Sequence, residues 1–161
     1  MTHDIEGVAA VLYTRMADRA VQFGELSPFP LVDGTEIRFQ RRRVGYVTAV
    51  WQEGDRALWR GALDEREWPD ITAGPAPLRT LVHEPDVSEL VATRQLIGMP
   101  AIVQARSETR DGCMLVRDWT VAGMELMTDS VAPWPGMTLR IVPPGQPVGV
   151  RAQDRPAAAR R

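Results

Sequence analysis

The chain contains no lysine and no asparagine, and all nineteen of its basic residues are arginine. Codon bias in a GC-rich genome is the simplest cause of this composition. The two absences exclude several kinds of chemistry, because a P-loop needs its lysine, a Schiff-base enzyme needs a lysine amine, and N-glycosylation needs an asparagine. The sequence therefore predicts neither a P-loop nucleotide site nor a lysine-dependent enzyme.

Long apolar runs and cysteine pairs are missing as well. No stretch approaches the roughly eighteen apolar residues that a membrane helix needs. The first residues, MTHDIEG, lack the basic and apolar regions of a secretory signal. The single cysteine, Cys113, has no partner for an internal disulfide and is expected to fill space in the core. We expect no membrane contact and no export through a signal peptide.

The length and composition indicate one domain followed by a tail. The 161 residues are 44% hydrophobic and 25% charged, which is typical of a globular protein with one core. Residues 1–142 are expected to form one domain, of the α+β class. From 143 to 161 the chain is rich in proline, alanine and arginine and has no apolar periodicity. This segment is expected to be an extended or disordered tail.

The beginning of the chain predicts a helix. Residues 4–22 carry apolar side chains at spacings of three and four, which is the periodicity of an amphipathic helix. Asp4 and Glu6 would lie in its first turn and suit the positive end of the helix dipole. The apolar positions are Ile5, Val8, Val11, Leu12, Met16 and Ala20. The SPFP segment at 27–30 indicates a break and a loop, since each proline restricts its own φ and the residue before it.

The rest of the domain predicts strands. Runs rich in β-branched and aromatic residues are separated by three turn signals, Asp33-Gly34, Gly54 and Asp111-Gly112. LRTLVH at 78–83 is predicted to be a further strand, and a short helix is predicted at about residues 85–96. The predicted fold class is therefore α+β: an N-terminal helix, a mainly antiparallel twisted sheet or partly closed β-barrel, and one short helix.

His83, in the segment PLRTLVHEPD, is the only histidine outside the first three residues. As a general base it would need a nucleophile, for which Ser107 and Ser130 are the downstream hydroxyl groups. Neither serine stands in a G-x-S-x-G elbow, so the alternative is a hydrogen-bonded structural histidine. No second histidine or cysteine lies at ligand spacing from His83, so no metal site is predicted. We also expect no cofactor.

Arginines and tryptophans supply candidate contact residues. RFQRRR at 38–43 is the densest basic run, but residues 1–142 hold 15 basic and 20 acidic groups, which argues against a nucleic-acid partner. An exposed strand edge or a protein interface is expected for this run instead. The candidate interface residues are Arg41, Arg42 and Arg43, with Trp68 and Trp134 from proline-rich segments.

Five segments occur in a recognisable order over about residues 44–142. They are VGYVTAVW, LWRGALDE, PLRTLVHEPD, LIGMPAIVQARSETRDGCMLV and GMELMTDSVAPWPGMTLRIV. This order resembles the phage prohead proteases of the capsid-maturation type. The resemblance implies that His83 matches the catalytic histidine of the family by position. The serine-bearing segment of the family has no counterpart here, because only a short stretch joins CMLVRD to MELM.

The resemblance, with its missing serine segment, implies a phage or prophage head-associated structural or assembly protein that acts through protein-protein contacts. Its partners would be further copies of itself or other virion proteins, and its location would be the cytoplasm or the virion. One alternative is a capsid-maturation serine peptidase that uses His83 with Ser130 or Ser107. Another alternative is a small non-catalytic binding module unrelated to phages. The sequence leaves enzyme activity open and favours a protein without it.

Overall fold

The computed structural model describes residues 3–68, 86–103 and 105–148, and it is rich in β-strands. The described residues contain eleven strands: β1 Asp4–Val11, β2 Val21–Phe23, β3 Leu26–Leu31, β4 Glu36–Phe39, β5 Arg42–Glu53, β6 Arg56–Leu63, β7 Leu96–Val103, β8 Arg106–Arg110, β9 Cys113–Arg117, β10 Trp119–Thr128 and β11 Arg140–Val142. The one α-helix in these ranges, α1, is Val87–Ala92. Short 3₁₀ helices occupy Glu65–Glu67 and Asp129–Val131.

The strands form two sheets. The larger sheet has the order β11-β1-β6-β5-β4-β10-β3, with β7 also paired to β10, and the smaller sheet has the order β2-β9-β8. Most pairings are antiparallel, but β10 runs parallel to β3 and β4, and β2 runs parallel to β9. Among the described strands neither sheet closes on itself.

The predicted α+β class is wrong, and so are the N-terminal helix over residues 4–22 and the partly closed barrel. Asp4–Val11 is instead strand β1, which lies between β6 and β11. Both faces of β1 are covered, because Val8, Ala9 and Ala10 are all buried. A strand covered on both faces shows no alternation of polar and apolar residues, so its pattern can coincide with the spacing of a helix.

The predicted turns are confirmed. Gly34, Gly54 and Gly112 each have a positive φ at a turn, and Gly112 lies in the hairpin that joins β8 to β9. The predicted helix at 85–96 contains α1. The SPFP segment, predicted as a loop, is instead part of β3. The strand predicted for LRTLVH and residues 149–161 of the tail lie outside the described residues.

The core is built around the indole of Trp59 on β6, which is fully buried. Glycines of three strands lie against it. A Cβ on Gly98 of β7 would lie 2.5 Å from the indole and 2.9 Å from Sδ of Met124. A Cβ on Gly61 of β6 would lie 3.1 Å from the indole, and one on Gly7 of β1 would lie 3.3 Å from its Nε1. The ring fits because these positions have no side chains.

The opposite face of β1 carries a buried group of charges, the Glu6 cluster, formed by Glu6, Arg60 and Arg140. Glu6 stands directly opposite the two arginines in the β1–β6 and β1–β11 registers. Arg60, 2% exposed, donates from Nε and Nη2 to Oε2 of Glu6 at 3.1 and 2.8 Å, and Arg140 donates to Oε1 at 2.5 Å. Arg60 also donates to the carbonyls of Gln146 and Pro147 at 2.6 and 3.3 Å. The first residues after β11 therefore cover Arg60.

Gly98→Ala is expected to lower the free energy of unfolding by about 1–3 kcal/mol, because the added methyl group must displace the Trp59 ring or Met124. Urea unfolding followed by tryptophan fluorescence measures this change. The matched control is Gly123→Ala on β10, whose Cβ would meet only Ala101, at 3.3 Å. Equal unfolding midpoints for the two variants would contradict this description of the core.

Candidate functional site

The three residues predicted for catalysis come from separate parts of the chain. His83 lies outside the described residues. Ser107 is exposed on β8, where it stands opposite Val116 in the smaller sheet. Ser130 is exposed in the 3₁₀ helix after β10, and its hydroxyl lies 2.9 Å from that of Thr128. The peptidase alternative needs His83 and therefore stays a prediction.

Metal ligation and membrane insertion can be assessed for residues 3–68, 86–103 and 105–148. In these ranges no group of three or more His, Cys, Asp or Glu side chains is placed to hold a metal ion.

The same ranges contain no helix that is long and apolar enough to cross a membrane.

Both candidate interface tryptophans pack against the body of the chain. Trp134 is 4% exposed, donates from Nε1 to the carbonyl of Thr14 at 2.9 Å, and meets Phe23 edge to face. Trp68 is half-buried against the core, and its ring centroid lies 5.6 Å from that of His3. Little of Trp134 is accessible to a partner in this conformation. An interface role for either tryptophan stays a prediction.

The basic run at 38–43 makes several contacts within the chain. Arg41 occupies the turn between β4 and β5 with a φ of 70°. The guanidinium of Arg43 lies 4.9 Å from the ring centroid of Tyr46 and 3.4 Å from the carboxylate of Asp64. The negative charge of Asp64 raises the pKa of Arg43 above its ordinary value, and the neighbouring Tyr46 adds to the effect. Acidic neighbours thus offset part of the positive charge of this run.

Glu67, in the first 3₁₀ helix, joins three segments and is 3% exposed. Arg42 of β5 donates to both oxygens of its carboxylate, at 2.6 and 2.9 Å. Ser88 of α1 donates to the Glu67 carbonyl at 2.5 Å. Burial acts to raise the pKa of Glu67, but Arg42, the Val87 N–H and Arg66 outweigh it and lower the pKa. Arg42 therefore stabilises a buried carboxylate next to α1.

A second ion pair anchors the residue before β3. Glu25 accepts hydrogen bonds from Nε and Nη2 of Arg117, the shortest at 2.7 Å, and from the hydroxyl of Tyr13 at 3.0 Å. The indole of Trp119 donates to the carbonyl of Gly24 at 2.8 Å. The hydrogen bonds from Arg117 outweigh the opposing effect of burial and, with Tyr13, lower the pKa of Glu25 to about 2. The chain thus enters β3 from a fixed position.

Strand β3 bulges away from β10 and exposes Phe29. The ends of β3, Leu26 and Leu31, stand opposite Trp119 and Val121 of β10. The four SPFP residues between them therefore face a single residue of β10, which produces a bulge. The Phe29 N–H donates to the Ser27 hydroxyl at 3.2 Å, and the Thr120 hydroxyl donates to the Phe29 carbonyl at 3.1 Å. The Phe29 side chain is 81% exposed, the largest value among the exposed large apolar residues described.

Two further apolar residues flank the same part of β10. Val103 of β7 stands opposite Thr120 and is 40% exposed. Val32, just after β3, donates its N–H to the Val121 carbonyl at 3.0 Å and is 41% exposed. We refer to Phe29, Val32 and Val103 as the apolar edge. Sequence reasoning missed it, although an aromatic residue between two prolines was a signal, because such a segment cannot pair regularly as a strand.

Comparison with protein-family models, with characterised proteins and with solved structures finds no match to this chain. Its function is therefore inferred from its own contacts and charges.

Arg42→Ala is expected to destabilise the protein by about 1–3 kcal/mol, because Glu67 would stay buried without its main cation. Arg41→Ala is the matched control from the same exposed turn and should change stability by less than about 0.5 kcal/mol. Chemical denaturation of the two variants measures the difference. Arg42 would not be the structural partner of Glu67 if both variants were as stable as the wild type.

Glu25→Gln is expected to flatten the acid dependence of stability. The pKa of Glu25 is lowered from 4.5 to about 2 on folding, so its stabilising effect is complete above pH 4.5 and is lost as the pH falls through about 2. Unfolding free energies measured across this window should fall less steeply in Glu25→Gln than in the wild type. The control is Glu125→Gln, an exposed carboxylate on β10. Identical slopes for the wild type and Glu25→Gln would refute the role assigned to this ion pair.

Proposed function

We propose that this protein is a non-catalytic structural protein that acts through protein-protein contacts, in the phage-head setting that its resemblance to prohead proteases implies. The observation that carries the proposal is the apolar edge, where Phe29 is 81% exposed and its backbone is hydrogen-bonded at both its N–H and its carbonyl. The partners are further copies of the chain or other head proteins.

The energy available from Phe29 is large for one side chain. A phenylalanine offers an apolar surface of about 150–250 Å². Burying a phenylalanine side chain contributes about 1.5–3 kcal/mol. An exposed aromatic side chain of this size is typical of the residues that dominate binding at the centre of a protein interface.

The backbone around Phe29 is fixed before any partner binds. The prolines on either side have restricted φ, and the hydroxyls of Ser27 and Thr120 hold its N–H and carbonyl. Thr120 is itself 2% exposed, so this anchor belongs to the body of the protein. Little backbone entropy remains to be lost on association, which favours binding through this residue.

Phe29→Ser is expected to raise the dissociation constant of self-association by about tenfold to a hundredfold, because the phenyl ring would be buried only in the complex. The fold should stay intact, because the side chain is exposed in the single chain. Sedimentation velocity over a concentration series measures association, and thermal unfolding checks the fold. The control is Met114→Ser, which removes a side chain 47% exposed on the smaller sheet. A wild-type chain that is strictly monomeric at every concentration, or equal behaviour of the two variants, would contradict assembly through Phe29.

The non-catalytic part of the proposal has its own test. The wild-type chain should show no cleavage of unfolded protein substrates or of itself. A proteolytic activity that is lost in His83→Ala and in either Ser130→Ala or Ser107→Ala would instead support the peptidase alternative.

A further inference from the structure

A cleft lies between the end of α1 and the segment that follows β11. Its volume is about 400 Å³. The lining residues combine small apolar surface with two guanidinium groups and one amide: Val91, Ala92, Arg94, Arg140, Ile141, Pro143 and Gln146. The apolar edge belongs to a different part of the sheet, so the cleft is independent of the contacts proposed there.

The Glu6 cluster, which reaches this cleft through Arg140, has more positive than negative charge. Glu6 is the only carboxylate in the described part of the chain that pairs with Arg60 or Arg140. Its Oε2 accepts two hydrogen bonds from Arg60, and its Oε1 accepts one from Arg140. One carboxylate thus faces two guanidinium groups, which leaves about one unit of positive charge. Arg140 carries that charge into the cleft, because its side chain is 39% exposed whereas that of Arg60 is 3% exposed.

Arg94 brings a second positive charge to the cleft. It follows α1 with a φ of 60°, a left-handed conformation that turns the chain sharply after the helix. Within the described residues its guanidinium has no hydrogen-bonded or ionic partner. The carbonyls at the end of α1 are already used, since the Leu90 and Val91 carbonyls accept from Gln95 and Arg94 N–H groups. The positive charge of Arg94 is therefore available to a ligand.

The geometry points to an oxyanion-binding site in this cleft, formed by Arg94 and Arg140 with the Gln146 amide beside them. Guanidinium groups bind carboxylate and phosphate oxygens through paired, charge-assisted hydrogen bonds. The apolar lining from Ala92, Ile141 and Pro143 suits a ligand whose anionic group is attached to a small carbon skeleton. The ligand class is accordingly a small carboxylate or phosphate.

Isothermal titration of the full chain with succinate and with inorganic phosphate, at low ionic strength, tests this site. Saturable binding of either probe at one site per chain is expected, and the probe that binds with the lower dissociation constant identifies the anion class. Arg94→Gln should raise the dissociation constant of that probe by about tenfold, which corresponds to one lost charge-assisted hydrogen bond. Arg94→Lys, which keeps the charge, should retain part of the affinity.

Arg15→Gln is the matched control, because Arg15 is exposed and does not line the cleft. It should bind both probes as the wild type does. Thermal unfolding of each variant verifies the fold. The oxyanion site is overturned if neither probe binds saturably to the wild type, or if Arg94→Gln and Arg15→Gln bind with the same affinity. Failure of self-association through Phe29 would leave these binding results unchanged.

Discussion

The register between β1 and β6 is the constraint on which the rest of the structure depends. It places Gly7 opposite Trp59 on the core face and, one residue earlier, Glu6 opposite Arg60 on the other face. A slip of one residue would exchange the two faces, move the glutamate towards the packed indole and leave the arginine without its carboxylate. Because Arg140 of β11 stands opposite the same Glu6, the register of β1 also fixes the strand that precedes the cleft. Core packing and the ion pairing of the Glu6 cluster are therefore two consequences of one strand pairing.

The parts of the fold that sequence could predict were those encoded locally. Gly34, Gly54 and Gly112 mark turns that need a positive φ, a property of single residues and their immediate neighbours. The segment 4–22 could not be assigned in this way, because covering both faces of β1 removes the alternation that identifies a strand. Glu6 illustrates the error: its position suited a helix dipole, but its actual role is to pair with arginines of two neighbouring strands.

Candidate reactive residues can be found in a sequence by their type, whereas a site depends on which distant residues meet. Ser107 and Ser130 were evident as hydroxyl groups, but nothing local indicated that Ser107 lies on a strand of the smaller sheet and Ser130 in the 3₁₀ helix after β10. The backbone of the exposed Phe29 is held by a hydrogen bond from Thr120, which is far along the chain. The cleft likewise requires α1 to lie beside β11. The pairing of strands that are distant in the chain determines which of these residues meet. A single sequence indicates strands only through alternating polar and apolar residues, and β1 lacks that alternation.

Coupling across the β1–β6 register is measured most directly by a double-mutant cycle on Glu6→Gln and Arg60→Gln, with unfolding free energies from urea titration. The structure predicts that each single variant is strongly destabilised and that the double variant loses much less than the sum, with a coupling energy of at least about 1 kcal/mol. Effects that add to within about 0.5 kcal/mol would show that the two side chains do not meet, and would contradict the register.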